Sequence, residues 1–115
     1  YANRLLLERV ITNYLKNAIQ YGRAGGKIWV TGGMEGEEYV FAVTNEGGSL
    51  SPDDQEHIWE AFYKTDKSRR RSGGYGIGLA IVQEIAHIHG ARTDVRCAEG
   101  KTTFYFRLPV GNGIS

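Results

Sequence analysis

The chain has 115 residues, 41% of them hydrophobic and 23% charged, which is the length of one domain and enough for a single buried core. Its 14 Lys and Arg nearly balance its 13 Asp and Glu, so the composition excludes the broad basic field that drives non-specific nucleic-acid binding. The single Cys97 excludes an internal disulfide and a cysteine-rich metal site, and no run approaches the roughly 18 apolar residues of a membrane span.

The sequence opens on YANRLLLERV, without a methionine or a signal peptide. We therefore expect residues 1–115 to be one domain cut from a longer protein, in which any membrane anchor would lie in the missing part. We expect this fragment to be monomeric and not to bind nucleic acid.

The first predicted helix covers residues 3–21, and the glycines of GRAGG end it. Its apolar residues recur at helical spacing and, at about 100° per residue, cover about half of the circumference. They are Leu7, Val10, Ile11, Tyr14, Leu15, Ala18 and Ile19. Asn13 and Asn17 lie together at one border of this arc, which predicts that both point to the rim of a groove.

Two β-rich runs follow, KIWVTG at 27–32 and EYVFAVTN at 38–45, and GMEGE joins them as a hairpin. A short helix is predicted over 51–62, with Ser51 as N-cap and Pro52 at the first helical position. Residues 63–74 are polar, cationic and glycine-ended, so we expect a mobile loop there.

The rest of the chain predicts one helix and two strands. IGLAIVQEIAHIHG is apolar at helical spacing and stops at Gly90, and TDVRCAEG and TTFYFRLP form a second strand pair. Helices that alternate with hairpins indicate an α+β fold, a two-layer sandwich with helices on one face of a sheet.

The loop before this helix ends in SGGYGIGLA, with Gly74, Gly76 and Gly78 at alternate positions. Glycines let the backbone approach an anion, and the free N–H groups of a helix start attract it, so the pattern predicts a phosphate cradle. A plain flexible hinge is the alternative. A P-loop is excluded because the Gly-Lys-Ser/Thr ending is missing, and no βαβ unit precedes the glycines as a dinucleotide fold requires.

Five cations lie just upstream of these glycines. Such a run is usually a solvated loop, yet cations beside a phosphate cradle can pair with phosphate oxygens. Both interpretations stay open for Lys64, Lys67, Arg69, Arg70 and Arg71.

The two asparagines of the first helix are candidate ligands for magnesium. Asparagine is a poor helix former, so two of them on one side need a reason. Amide oxygens suit Mg²⁺, which is usually bound with the help of substrate phosphates. The alternative is that Asn13 and Asn17 are ordinary boundary residues.

Four stretches in order carry a resemblance over nearly the whole chain. The stretch ERVITNYLKNAIQYG resembles the N box of sensor histidine kinases of two-component systems. The stretch VTNEGGSLSPDDQEHIWEAFYK resembles their first glycine box followed by their F box, and GGYGIGLAIVQEIAHIHG resembles their second glycine box. EGKTTFYFRLP resembles the last strand of that family. The resemblance implies the catalytic ATP-binding domain, with the Bergerat fold shared with gyrase and MutL: a mixed, mostly antiparallel sheet, about three helices on one face, and a mobile ATP lid at about 63–76.

The resemblance assigns roles along the first helix and at the end of the second strand. It implies that Asn17 is the principal Mg²⁺ ligand, that Asn13 assists it, and that Tyr21 lies against the adenine. Gln20 stands where the family often has a phosphate-binding lysine, so that contact is not carried over. Asn45 replaces an aspartate that accepts the adenine amino proton; its oxygen can accept, but its NH₂ can donate, which implies softer discrimination against guanine.

The remaining nucleotide contacts that the resemblance implies surround the lid. Gly47 matches the glycine that lets the base approach, and Lys64 stands where related sequences often carry arginine. Phe62 belongs to the F box, where it would anchor the lid to the core. The phosphates would contact the backbone at Gly74, Gly76, Ile77, Gly78 and Leu79.

None of the three histidines is a candidate phosphoacceptor. The family phosphorylates a histidine that an acidic residue closely follows, on a dimeric helical hairpin upstream, whereas Ile58 follows His57, and His87 and His89 end a helix. The resemblance implies transfer of the γ-phosphoryl to a histidine on a separate dimerisation domain, with a response regulator as the indirect partner. It implies a cytoplasmic domain of a parent protein in the bacterial membrane.

Two other functions stay open. One is a Bergerat-fold ATPase or an anti-sigma-factor serine kinase, and the other is a degenerate module that binds nucleotide or a partner without catalysis. The F box and the long lid favour the histidine kinase. Glu8 falls on the opposite side of the first helix from Asn13, so we expect no water activation there and negligible ATP hydrolysis by the fragment alone.

Overall fold

The computed structural model describes residues 3–48, 50–61, 63 and 77–110. This part of the chain contains three helices and four strands: α1 (Arg4–Tyr21), β1 (Ile28–Glu35), β2 (Glu38–Glu46), α2 (Pro52–His57), α3 (Gly78–His89), β3 (Arg92–Ala98) and β4 (Lys101–Pro109). The strands form one sheet in the order β1-β2-β4-β3. The predicted α+β sandwich is confirmed, and every strand pair of the described residues is antiparallel.

The helix ends follow from local capping. The side chain of Asn3 accepts a hydrogen bond from Leu6 N at the start of α1, and Ser51 accepts one from Asp54 N at the start of α2, as predicted. Helix α3 ends at Gly90, whose φ of 64° is left-handed. Helix α2 is shorter than the predicted 51–62.

Tight turns replace the helical spacing after His57. Glu60 N donates to His57 O, and Tyr63 N donates to Glu60 O, each a bond to the third residue back. Ile58 is fully buried, and the ring of Trp59 meets the ring of Phe104 edge-on at 6.0 Å. This segment therefore packs into the core without continuing the helix.

Both hairpins close through two residues, which fixes the strand register. Glu35 pairs with Glu38 around Gly36, and Ala98 pairs with Lys101 around a turn in which Glu99 and Gly100 both have positive φ. Strand β1 extends beyond the predicted 27–32 because its pairing with β2 continues to the turn.

The core lies between the helices and one face of the sheet, with Tyr14 at its centre. Tyr14 has no exposed surface; its ring lies 5.4 Å from that of Phe104 and 6.4 Å from that of Phe41. Its hydroxyl donates to Tyr105 O at 2.8 Å, and burial raises the pKa of this phenol, which keeps the donor protonated.

The buried face of α1 differs from the prediction. It consists of Val10, Tyr14, Asn17 and Ala18. Ile11 and Ile19, which the prediction placed in the apolar arc, are exposed, and Ile19 keeps 72% of its surface. The predicted apolar arc was derived from hydrophobicity alone. In the structure, α1 lies against α3 and β2, and these elements bury the residues of α1 that face them, whether polar or apolar. Asn17 is therefore on the buried face and not at its border.

Candidate functional site

Helices α1 and α3 meet at Asn13 and Gly78. Asn13 Oδ1 lies 3.1 Å from the position that a Cβ on Gly78 would occupy, a distance that a real side chain would rarely tolerate. Gly78 is the first residue of α3, so the missing side chain lets Asn13 reach the start of this helix. The structure thus brings Asn13, of the predicted asparagine pair, next to Gly78, of the predicted phosphate cradle.

Among the described residues, no side chain caps the start of α3. Ile77 occupies the N-cap position, is 49% exposed, and has no side-chain atom that could accept a hydrogen bond. The first N–H groups of a helix have no partner within it and carry the positive end of its dipole. The side chain of Leu79 is buried in the core and anchors this end. Beside Asn13, the helix start therefore suits an anion.

Asn17 lies one turn further along α1, and only 7% of it is exposed. Its Nδ2 is buried and has no hydrogen-bond partner in the part of the chain that the structure describes. A buried amide without a partner is unfavourable, so a ligand at this point would relieve it. The nitrogen can donate to a phosphate oxygen and the oxygen can bind Mg²⁺, so the amide fits a magnesium–phosphate group.

Tyr21 continues the same side of α1 one turn beyond Asn17. Its side chain is partly buried against the core cluster. Its carbonyl oxygen lies 3.0 Å from the position of a Cβ on Gly48, so the end of α1 touches the loop that follows β2. Asn13, Asn17 and Tyr21 therefore lie in a row along α1, from the start of α3 at one end to this loop at the other.

Asn45 stands near the end of β2, and only 3% of it is exposed. Its Nδ2 donates to the carbonyl oxygens of Glu46, at 3.3 Å, and Gly47, at 3.2 Å. Gly47 has a φ of 81°, and a Cβ there would lie 2.9 Å from Arg23 N. The loop conformation and the approach of Arg23 therefore both require glycine at this position.

Thr102 completes this end of the site, and none of the sequence motifs assigned it a role. It pairs with Asn45 in the sheet, is buried, and directs its Oγ1 to the carbonyl oxygens of Gly47, at 2.9 Å, and Gly48, at 3.0 Å. Strand alternation places Thr102 on the buried face with Phe104. A single polar residue among the inward-facing residues of β4 is the sequence signal from which a role for Thr102 could have been predicted.

Glu46 fastens the segment that follows α1. Its carboxylate accepts from Lys27 N at 2.8 Å and from the Arg23 guanidinium at 2.9 Å. The hydrogen bond from Lys27 N, followed by the Arg23 charge, lowers the pKa of Glu46. The carboxylate thus remains ionised and holds the loop beside Asn45.

Helix α2 fixes the point where the predicted lid begins. The Tyr63 hydroxyl donates to Asp54 Oδ1 at 2.7 Å, and the Tyr63 ring stacks on His57 with centroids 5.8 Å apart. The rest of the predicted lid lies outside the described residues, and with it the predicted contacts of Lys64, Gly74 and Gly76.

His89 has a structural role. Its Nε2 accepts from Asn3 N at 3.0 Å and its Nδ1 lies 2.9 Å from Ile85 O, which joins the end of α3 to the start of α1.

Of the helices that the structure describes, none combines the length and the apolar character of a membrane span.

Comparison with known proteins gives a family match over residues 2–112, to the histidine kinase-, DNA gyrase B- and HSP90-like ATPases. The sensor histidine kinase RppB of Synechocystis sp. is 38% identical over 112 residues, and the sensor histidine kinase YclK of Bacillus subtilis is 40% identical over 106. These alignments cover 96% and 89% of this chain but 25% and 22% of the relatives. The chain thus spans a quarter of their length or less.

Solved structures show the same fold. The mycobacterial sensor histidine kinase MprB superposes with a TM-score of 0.84 at 26% identity, over 94% of this chain and 74% of that one. The catalytic domain of histidine kinase ThkA superposes with a TM-score of 0.80 at 27% identity, over 94% of this chain and 68% of that one.

Proposed function

The chain belongs to the family of histidine kinase-, DNA gyrase B- and HSP90-like ATPases, and we propose that residues 1–115 are the single ATP-binding catalytic domain of a sensor histidine kinase. The observation that carries this proposal is the contact of Asn13 with Gly78, because it unites an amide pair with an uncapped helix start. The named relatives are sensor histidine kinases, which supports this function over a serine kinase or a stand-alone ATPase.

We assign the base and the phosphates of ATP to opposite ends of α1. Tyr21, Asn45 and Gly47 lie together at its C-terminal end and would bind the adenine. Asn13 and Asn17 would face the phosphates, together with the backbone N–H groups from Ile77 to Leu79. Lys64, Gly74 and Gly76 remain proposed phosphate contacts of the lid.

The donor set also fits magnesium. Asn17, assisted by Asn13, would hold the ion, since the buried Asn17 amide has no partner among the described residues. Mg²⁺ supplies charge neutralisation on the phosphate oxygens. The chain itself orients the nucleotide, with the two amides on one side and the start of α3 on the other.

Phosphoryl transfer depends mainly on positioning and on stabilisation of charge, so the domain needs no base of its own. We propose that the γ-phosphoryl passes to a histidine on a separate dimerisation domain of the parent protein, and from there to a response regulator. The parent would be anchored in the bacterial membrane with this domain, itself monomeric, in the cytoplasm. The quarter or less of each relative that the chain spans leaves room for such domains.

Calorimetry of ATP with and without Mg²⁺ tests the binding step. We expect Mg²⁺-dependent binding that Asn17→Ala weakens and Thr12→Ala leaves unchanged, because Thr12 is exposed on the far side of α1. Absence of binding by the unaltered chain would refute the proposal.

A second experiment tests the transfer step. The chain is mixed with radiolabelled ATP and the histidine-bearing hairpin encoded upstream in the parent gene. We expect an acid-labile label on the hairpin, no label on the chain, and negligible ATP hydrolysis by the chain alone. Acid-stable labelling of a serine, or brisk hydrolysis without the hairpin, would favour the serine kinase or the ATPase.

A further inference from the structure

The side chain of His57, the last residue of α2, lies between two carboxylates. Its Nδ1 is 2.8 Å from Glu60 Oε2, and its Nε2 is 3.6 Å from Asp53 Oδ1. An ionised carboxylate can only accept a hydrogen bond, so Nδ1 carries a proton and donates it to Glu60. In a neutral ring, Nε2 would then turn a lone pair towards Asp53, whereas the imidazolium places an N–H there. The geometry therefore fits the protonated ring at both nitrogens.

The same ring supports Tyr63. The His57 and Tyr63 rings stack with their centroids 5.8 Å apart and an angle of 27° between their planes. The Tyr63 hydroxyl donates to the buried Asp54 at 2.7 Å, and Tyr63 N donates to Glu60 O at 3.2 Å. A cation at this distance from an aromatic face is attracted to it, so the protonated ring holds Tyr63 more firmly than the neutral ring does. We call Asp53, His57, Glu60 and Tyr63 the His57 cluster.

The charges that act on the pKa of His57 are all acidic. The hydrogen bond with Glu60, followed by the charges of Glu60, Asp53 and Glu56, raises this pKa above its ordinary 6.5. The phenol of Tyr63 is the other titratable group against the ring. The ring therefore keeps its proton at pH 6.5 and loses it at a higher pH.

Tyr63 stands next to a proposed part of the nucleotide site. Lys64, the first of the proposed phosphate contacts of the lid, follows it directly in the sequence. Because the two residues share a peptide bond, a fixed Tyr63 restricts where Lys64 can lie. Restricting a binding group before the ligand arrives lowers the entropy cost of binding. The state of the His57 cluster can thus change the affinity for a nucleotide.

We propose that the His57 cluster is a pH-sensitive anchor: protonation of His57 fastens Tyr63 to α2 and strengthens the binding of Mg²⁺-ATP, and loss of the proton releases Tyr63. This inference rests on the proposed nucleotide-binding function. It adds a proton as a regulator of that site and gives His57 a role in regulation that is separate from phosphoryl transfer.

Calorimetry of Mg²⁺-ATP tests the proposal on the unaltered chain and on His57→Gln, whose amide stays neutral. The titration of ATP itself affects both chains equally, so the ratio of their affinities reports on His57. We expect the unaltered chain to bind about twofold to fivefold more tightly than His57→Gln at about pH 6, and equally tightly at about pH 9. His87→Gln, the same substitution at an exposed position of α3, should match the unaltered chain at both pH values.

An NMR titration of the His57 ring tests the cluster without a nucleotide. We expect a protonation midpoint above 6.5 in the unaltered chain. Asp53→Asn removes the carboxylate that faces Nε2 and should lower this midpoint more than Glu56→Gln does, because Glu56 has only a weaker electrostatic effect on the ring.

The outcomes separate this inference from the proposed function. An affinity ratio between the unaltered chain and His57→Gln that is the same at both pH values would overturn the inference and leave nucleotide binding intact. A midpoint at or below 6.5, or equal midpoints in Asp53→Asn and Glu56→Gln, would overturn the assigned geometry of the cluster. Absence of nucleotide binding by the unaltered chain at both pH values would overturn the proposed function and this inference together.

Discussion

Asn13 Oδ1 lies 3.1 Å from the point at which a side chain on Gly78 would begin. This relationship sets the distance between α1 and the start of α3, and with it the space in which the triphosphate would bind. A methyl group at position 78 would displace the Asn13 amide by a few tenths of an ångström.

Gly78→Ala should therefore weaken Mg²⁺-ATP binding by about fivefold to twentyfold, because small displacements of positioning groups reduce function strongly. The free energy of unfolding should change by less than about 1 kcal/mol, since alanine favours the helix. Gly33→Ala is the control, because its Cβ position has no atom of the described residues within 4 Å apart from its own chain neighbours. Calorimetry that shows equal affinity for both variants would contradict the assigned role of this contact.

Asn17→Ala should weaken nucleotide binding without lowering the stability of the fold. It should weaken Mg²⁺-ATP binding by about tenfold to hundredfold, the equivalent of one hydrogen bond to a charged group. The melting temperature should stay equal or rise, because the variant removes a buried amide nitrogen that has no partner among the described residues and introduces a better helix former. A clear loss of stability in thermal unfolding would indicate a structural role.

Thr102→Val should lower the free energy of unfolding by about 1–3 kcal/mol, because it removes a buried hydroxyl that bonds two part-buried carbonyl oxygens, at nearly constant volume. Thr103→Val is the matched control on the same strand. The Thr103 hydroxyl bonds the half-buried hydroxyl of Thr44 at 2.8 Å, and water can replace that bond. Chemical denaturation of both variants gives the comparison, and equal losses would argue against the role of Thr102.

Gly47→Ala should destabilise the domain more than Gly90→Ala. Both glycines have positive φ, 81° and 64°, so alanine at either position carries the backbone penalty of about 1–2 kcal/mol. A Cβ on Gly47 would also lie 2.9 Å from Arg23 N, whereas a Cβ on Gly90 would meet no described residue within 4 Å beyond its own chain neighbours. Equal unfolding free energies for the two variants would show that the loop yields to the added methyl group.

Stability should depend on pH through His57. The hydrogen bond with Glu60, at 2.8 Å, followed by the charges of Glu60 and Asp53, raises the pKa of His57 above its ordinary 6.5. A raised pKa stabilises the fold below the unfolded-state pKa, and this stabilisation is lost as the pH rises through the folded-state pKa.

Glu60→Gln should therefore lower the melting temperature at about pH 5.5 and have a smaller effect at about pH 9. Glu37→Gln, in the exposed turn between β1 and β2, serves as the charge-matched control. An effect of Glu60→Gln that is the same at both pH values would exclude this ion pair as its cause.

The sequence predicted the order of the elements well because the signals for them are local. Ser51 and Gly90 cap their helices as predicted, and the alternation of β4 matches its burial. The end of α2 was missed because it depends on how Ile58 and Trp59 reach the core. The exposure of Ile19 was missed because it depends on which neighbours α1 has.

By itself, the sequence determined the family, the layered fold and the residue types at the site, since ordered motifs and periodicity are properties of the chain alone. Only the tertiary structure decided where those residues lie and what they contact. It placed Asn17 on the buried face, brought Asn13 to Gly78, and oriented the Asn45 amide through the backbone and Thr102. Each of these outcomes depends on atoms that are distant in sequence or on the local shape of a loop. Hydrogen-bond direction and close packing are defined only when such atoms come together in space.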